Sequence, residues 1–68
     1  MILGKDRYRH YEGQTIEILN MEGEPHYTGK IGVVEYVDDI GQLHGTWGGL
    51  AVNPDIDSFR VVKSKEEK

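Results

Sequence analysis

The side chains able to do chemistry in this chain are carboxylates, histidines and aromatics, and their spacing decides between catalysis and binding. Asp38-Asp39 and Asp55-x-Asp57 could supply paired carboxylates. Such pairs can share a proton or hold a cation. Both, however, sit beside a glycine or proline, where aspartate accepts backbone N–H groups two residues on and closes a turn. A helix–loop–helix calcium site needs more oxygen ligands at regular spacing than either pair offers. His10, His26 and His44 lack the short spacing of zinc ligands. There is no cysteine, and the serines, Ser58 and Ser64, lie in no nucleophile-elbow context. No catalytic residue, metal site or cofactor is expected, and the chain reads as non-enzymatic.

Binding chemistry is better represented. Tyr27, Tyr36 and Trp47 are large aromatics, flanked by Glu22, Glu24, Asp38 and Asp39. Loop and strand aromatics of small barrels line shallow grooves that take extended peptide. The carboxylates would steer a basic partner. The ordinary alternative is that Trp47 is core and the tyrosines are half-buried surface, since a small domain needs every large side chain inside. A second constellation is the N-terminal run of Lys5, Arg7 and Arg9 with Tyr8 and Tyr11 interleaved. Cations beside aromatics combine phosphate contacts with base-stacking platforms. The formal net charge of −4 opposes that reading, because nucleic-acid affinity comes largely from neutralising phosphates. The expectation is a module that binds an unidentified protein or a second copy of itself, with nucleic-acid binding through the arm as the alternative.

The elements that must position these residues are short. The chain has 68 residues, enough for one domain. A domain of that size buries only about 60% of the surface its unfolded chain exposes. No apolar run approaches the ~20 residues of a membrane span, and Met1-Ile2-Leu3 is too short for a signal-peptide core. With no cysteine, a cytoplasmic protein is expected.

The nine glycines separate stretches rich in β-branched and aromatic residues, the pattern of an all-β domain with tight turns. Thr15–Leu19 alternates with Ile16 and Ile18 on one face and reads as the first strand. A loop follows from Met21 to Gly29. Ile31–Val37 is the second strand. Val34 and Val37 can both face a core only if a bulge lies between them; plain alternation would point Glu35 inward, and burying an unpaired carboxylate is costly. Asp38-Asp39-Ile40-Gly41 is a hairpin turn. Leu43, Gly45 and Trp47 share a face of the third strand, with His44 opposite, where its ring can bond the turn carboxylates. Gly48-Gly49 signals a two-residue hairpin, because both residues tolerate positive φ. Leu50–Val52 is the fourth strand, Asn53–Asp57 a helical turn and Phe59–Val62 the fifth strand. Residues 1–12 read as an arm, either a strand or flexible; 13–63 as the folded domain; 64–68 as a disordered charged tail. These elements describe a five-stranded antiparallel SH3-like barrel with a helical turn before the last strand. Its inward set is Ile16, Ile18, Val34, Val37, Leu43, Trp47, Leu50, Val52, Phe59 and Val61.

Residues 13–62 carry Gly13, Ile16, Leu19 and Met21, then Gly29 and Gly32, the run Val37-Asp38-Asp39-Ile40-Gly41-Gln42-Leu43-His44, then Trp47 and Asp57-Ser58-Phe59. In this the chain resembles a small bacterial and phage domain family of unknown function. Its members run Gly-x-Arg-Val-x-Leu-Ile-x-Met, a Pro-containing loop, Gly-Thr-x-Gly-x-Val, Val-Asp-Asp-Ile-Gly-Gln-Ile-His-x-x-Trp and Asp-Ser-Phe. Thr15 stands where an arginine is usual, Gly45 where an apolar strand residue is usual, and the Met21–Gly29 loop is shorter and poorer in proline. The resemblance implies a small barrel, frequent in phages and mobile elements, and no activity.

Overall fold

The computed structural model describes residues 4–63, with side chains from Asp6 onward. Strands dominate it. β1 (Thr15–Asn20), β2 (Ile31–Val37), β3 (Leu43–Gly45) and β4 (Ser58–Lys63) form one four-stranded antiparallel sheet in the order β3-β2-β1-β4. β1 alternates as expected, with Ile16 and Ile18 fully buried.

The bulge in β2 is present. Val34 lies opposite Gly45 and Tyr36 opposite His44, so Glu35 is the extra residue. Val34 and Val37 both face inward and Glu35 stays in water. At the bulge, the Val37 N–H donates to Glu12 Oε2 at 3.0 Å, so a carboxylate from the N-terminal segment helps to hold the kink.

The expected fourth strand is reduced to one bridge, Leu43 opposite Val52. The cause is packing around Trp47. A Cβ on Gly45 would collide with the Val33 carbonyl and the Trp47 ring, so the indole is folded back over a residue with no side chain. That ends β3 at Gly45, before the tryptophan. Thr46 then imitates a strand partner: its N–H donates to Val33 O at 3.0 Å and its Oγ1 accepts from Val33 N at 2.9 Å.

Residues 1–12 are not a strand over their described part. Gly4–Tyr8 form a short helix, α1, followed by a 3-10 turn at Arg9–Tyr11. Tyr8 and Tyr11 pack against the core, and Tyr11 meets Phe59 edge-on at 5.1 Å. The expected disordered tail, 64–68, lies outside the described residues.

The core comprises Ile16, Ile18, Met21, Tyr27, Val34, Val37, Leu43, Trp47 and Val52, with Phe59 half-buried against it. Two expected members are absent. Val61 pairs with Ile16 yet is 40% exposed, beside the point where β4 carries an extra residue, Val62, between the partners of Ile16 and Thr15. Leu50 is 50% exposed for a reason set out below. No buried side-chain nitrogen or oxygen among the described residues lacks a hydrogen bond. No helix among them is long and apolar enough to cross a membrane.

Candidate functional site

Two loops that are distant in sequence meet at a groove. One is Met21–Glu24, just after β1; the other is Leu50–Asp57, just before β4. The groove has a volume of about 360 Å³ and is lined by Met21, Glu22, Glu24, Gln42, Leu50, Ala51, Asn53, Ile56 and Asp57.

Local chemistry builds each wall. In the second loop the Ile56 and Asp57 N–H groups donate to Asn53 O at 3.0 and 2.7 Å, which makes one helical turn as expected. Asn53 Oδ1 accepts from Asp55 N at 3.0 Å, an Asx turn that starts it. Asp57 ties the walls together. Its Oδ2 accepts from Asn53 N at 2.8 Å and its Oδ1 from Glu22 N at 2.9 Å. The Asp55-x-Asp57 pair is thus structural: Asp57 caps the turn, and Asp55 Oδ1 accepts from the Tyr8 hydroxyl at 2.7 Å. That hydrogen bond is the main cause that raises the Tyr8 pKa above the usual tyrosine value.

The floor is set by Leu50. Its N–H donates to the Tyr27 hydroxyl at 3.0 Å, and its carbonyl accepts from Trp47 Nε1 at 2.7 Å. Both backbone groups are clamped by buried aromatics, so the side chain is turned outward instead of joining the core. Ile56, 57% exposed on its turn, stands with it, and buried Met21 closes the base.

The rim is acidic. Glu22 is exposed, and its carboxylate takes no hydrogen bond or ion pair among the described residues. Glu24 lies 3.5 Å from His26 Nε2.

The other expected site residues fall elsewhere. Tyr27 and Trp47 are 8% and 6% exposed, so neither offers a surface and the patch expected around Tyr27 and Tyr36 is not continuous. Burial follows from the hydrogen bonds to Leu50, which bring both rings under the loop. Tyr36 is 51% exposed and stacks flat on His44, with ring centroids 4.5 Å apart. His44 Nε2 donates to Asp38 Oδ2 at 2.7 Å. The other oxygen of Asp38 accepts from the Ile40 and Gln42 N–H groups at 3.1 and 2.9 Å. Burial alone would push the Asp38 carboxyl up, but the hydrogen bonds from His44, Gln42 and Ile40 outweigh it and hold its pKa below the usual carboxylate value. Asp38 is therefore a turn residue, and Asp39 beside it is exposed.

In the N-terminal segment Arg9 pairs with Asp6 at 3.3 Å and Arg7 lies over the Tyr8 ring at 5.3 Å. Tyr8 and Tyr11 are engaged with Asp55, Phe59 and the core. Lys5 lies on α1, and its side chain is outside the described residues.

Of the groove residues, sequence reasoning singled out Glu22 and Glu24 and missed Met21, Gln42, Leu50, Ala51, Asn53 and Ile56 as lining. The available signal was an isolated isoleucine between two aspartates in a turn: Ile56 has no strand or helix periodicity to carry it inward.

Residues 2–62 match the model of a family described as Domain of unknown function (DUF4314). The match spans most of the chain, and the chain belongs to that family. No curated protein and no solved structure matches the chain.

Proposed function

We propose that this domain is a non-catalytic binding module of the cytoplasm, and that it holds a partner protein in the groove between Met21–Glu24 and Leu50–Asp57. One observation carries the reading: half-exposed aliphatic side chains, Leu50 and Ile56, stand over a hydrogen-bonded frame beside Glu22, whose carboxylate has no partner among the described residues. Apolar side chains kept in water on a fixed frame mark a surface that gains by being covered. The strand order supports an SH3-like barrel as the frame. With Val52 bridged to β3, the elements follow one another as Val52, β3, β2, β1, β4, a sheet whose ends are the fourth and fifth expected strands.

A protein partner is favoured over nucleic acid on two counts. The groove's carboxylates repel phosphate. The tyrosines that would stack on bases, Tyr8 and Tyr11, already pack within the domain.

The test is capture of partners from host lysate by the tagged full chain. The comparison is a Leu50→Glu/Ile56→Glu double variant against Val33→Glu, which alters an exposed valine on the sheet instead. A protein retained by the wild type and by Val33→Glu, but lost from the groove variant, is the expected result. A partner captured equally by all three places the binding surface elsewhere. Sedimentation at rising concentration reads self-association in the same set.

A further inference from the structure

We infer that the groove takes an extended, basic segment of a partner, in which an apolar side chain neighbours a lysine or arginine. The inference rests on the groove being the binding surface, and it names what that surface selects.

Charge comes first. Glu22, Glu24 and Asp57 line one small groove. Asp57 is fixed by its two N–H donors, so its charge cannot swing away. Glu24 has only His26 at 3.5 Å, and Glu22 has no partner among the described residues. A cation brought there meets Glu22, which has no partner among the described residues to abandon, and Glu24, which gives up at most a 3.5 Å contact with His26. Lysine and arginine also suit the floor, because their aliphatic stems lie along apolar surface while the head stays in water. Met21, Leu50 and Ile56 provide that surface. A second copy of this chain is a poorer occupant, since each copy carries a formal charge of −4.

Shape and hydrogen bonding argue for an extended segment. The volume, about 360 Å³, lies at the low end of the ~300–1,000 Å³ typical of ligand sites. It suits one or two side chains. Two amide side chains line the same groove. Among the described residues Gln42 makes no side-chain hydrogen bond, and Asn53 uses its Oδ1 but not its NH₂ group. These amides can meet N–H and C=O groups of a main chain. An extended segment has such groups to offer, whereas a helix has already paired them internally.

The experiment is an NMR titration of the isotope-labelled full chain with three capped hexapeptides: alternating leucine and lysine, alternating leucine and glutamate, and alternating serine and lysine. The leucine–lysine peptide is expected to shift amides of Met21, Glu22, Glu24, Gln42, Leu50, Asn53 and Asp57. The serine–lysine peptide should bind at least roughly fivefold more weakly for want of apolar contact. The leucine–glutamate peptide should leave the groove unmoved. Glu22→Gln/Glu24→Gln removes no contact the fold uses beyond the His26 pair, and should weaken leucine–lysine binding by about three- to tenfold. If the leucine–glutamate peptide binds as well, or the double glutamine variant binds as tightly, the ligand class is wrong while the groove stands. If no peptide moves a groove amide, or shifts gather on the sheet, the groove itself is not the binding surface.

Discussion

The turn after β2 and the loop after β3 both depend on glycine, yet different forces hold them. In Asp38–Gly41 the bonds are local. Asp38 accepts from the N–H groups of Ile40 and Gln42 and from the ring of His44, and Gly41 N donates to Asp38 O. Every partner lies within six residues of Asp38. In Thr46–Ala51 the partners are remote. The Tyr27 hydroxyl, 23 residues away, holds Leu50 N, and the Trp47 indole is packed over Gly45 and bonds Leu50 O. The first turn carries its own support. The second is shaped by aromatics that arrive only when the sheet has formed, and it is the one that turns Leu50 toward the groove.

This contrast predicts where damage spreads. Trp47→Ala should cost about 3–5 kcal/mol, the usual range for emptying a buried aromatic site. A chain of 68 residues has a total stability of only about 3–10 kcal/mol. The variant should therefore show collapsed amide dispersion or a strongly lowered melting midpoint. A near-native melt would mean that Trp47 is not the organiser of the loop.

Gly49→Ala sharpens the same point. Gly49 has φ +94°, and a Cβ there would meet the Tyr27 hydroxyl head-on. A loss of about 2–3 kcal/mol is expected from strain and collision together. Tyr27→Phe removes the colliding oxygen, so the double variant should be less destabilised than the two singles added, by roughly 1 kcal/mol in chemical denaturation. Simple additivity would separate the glycine from the tyrosine.

The local turn should respond to pH instead. Asp38→Ala should cost about 2 kcal/mol through its lost hydrogen bonds, and of the groove amides it should disturb Gln42, whose N–H loses its acceptor, and leave the others in place. The sign of the pH effect follows from the lowered Asp38 pKa. Its stabilisation is fully present above the unfolded value, about 3.9, and is lost as pH falls through the lower folded value. Melting curves of wild type and variant should therefore converge in acid. A gap that persists there would assign the loss to something other than the carboxylate.

The smallest effect should be at Gly48. Its φ is +82°, but a Cβ there would meet nothing within 4 Å. Gly48→Ala should cost only about 1 kcal/mol, the penalty for a left-handed conformation. A loss equal to that of Gly49→Ala would show that backbone strain, not Tyr27, sets the loop.

The sequence by itself determined what depends on neighbours along the chain. Alternation placed Ile16 and Ile18 inward, the cost of burying Glu35 required the bulge that lets Val34 and Val37 share the core, and Asp38 with Gly41 specified a turn. These follow from steric and hydrogen-bonding rules that act over a few residues. Positive φ at Gly48 and Gly49 was legible too, but the two-residue hairpin expected there was not realised, because Leu43 pairs with Val52 across a wider loop. Tertiary structure alone decided that Tyr27 is core and Leu50 is not. Both are apolar enough to be buried. Which one goes inside depends on a hydrogen bond between them across 23 residues, and on a tryptophan that needs the space above Gly45. The groove exists for the same reason: Asp57 reaches Glu22 across 35 residues, and no local pattern in either loop records that they meet.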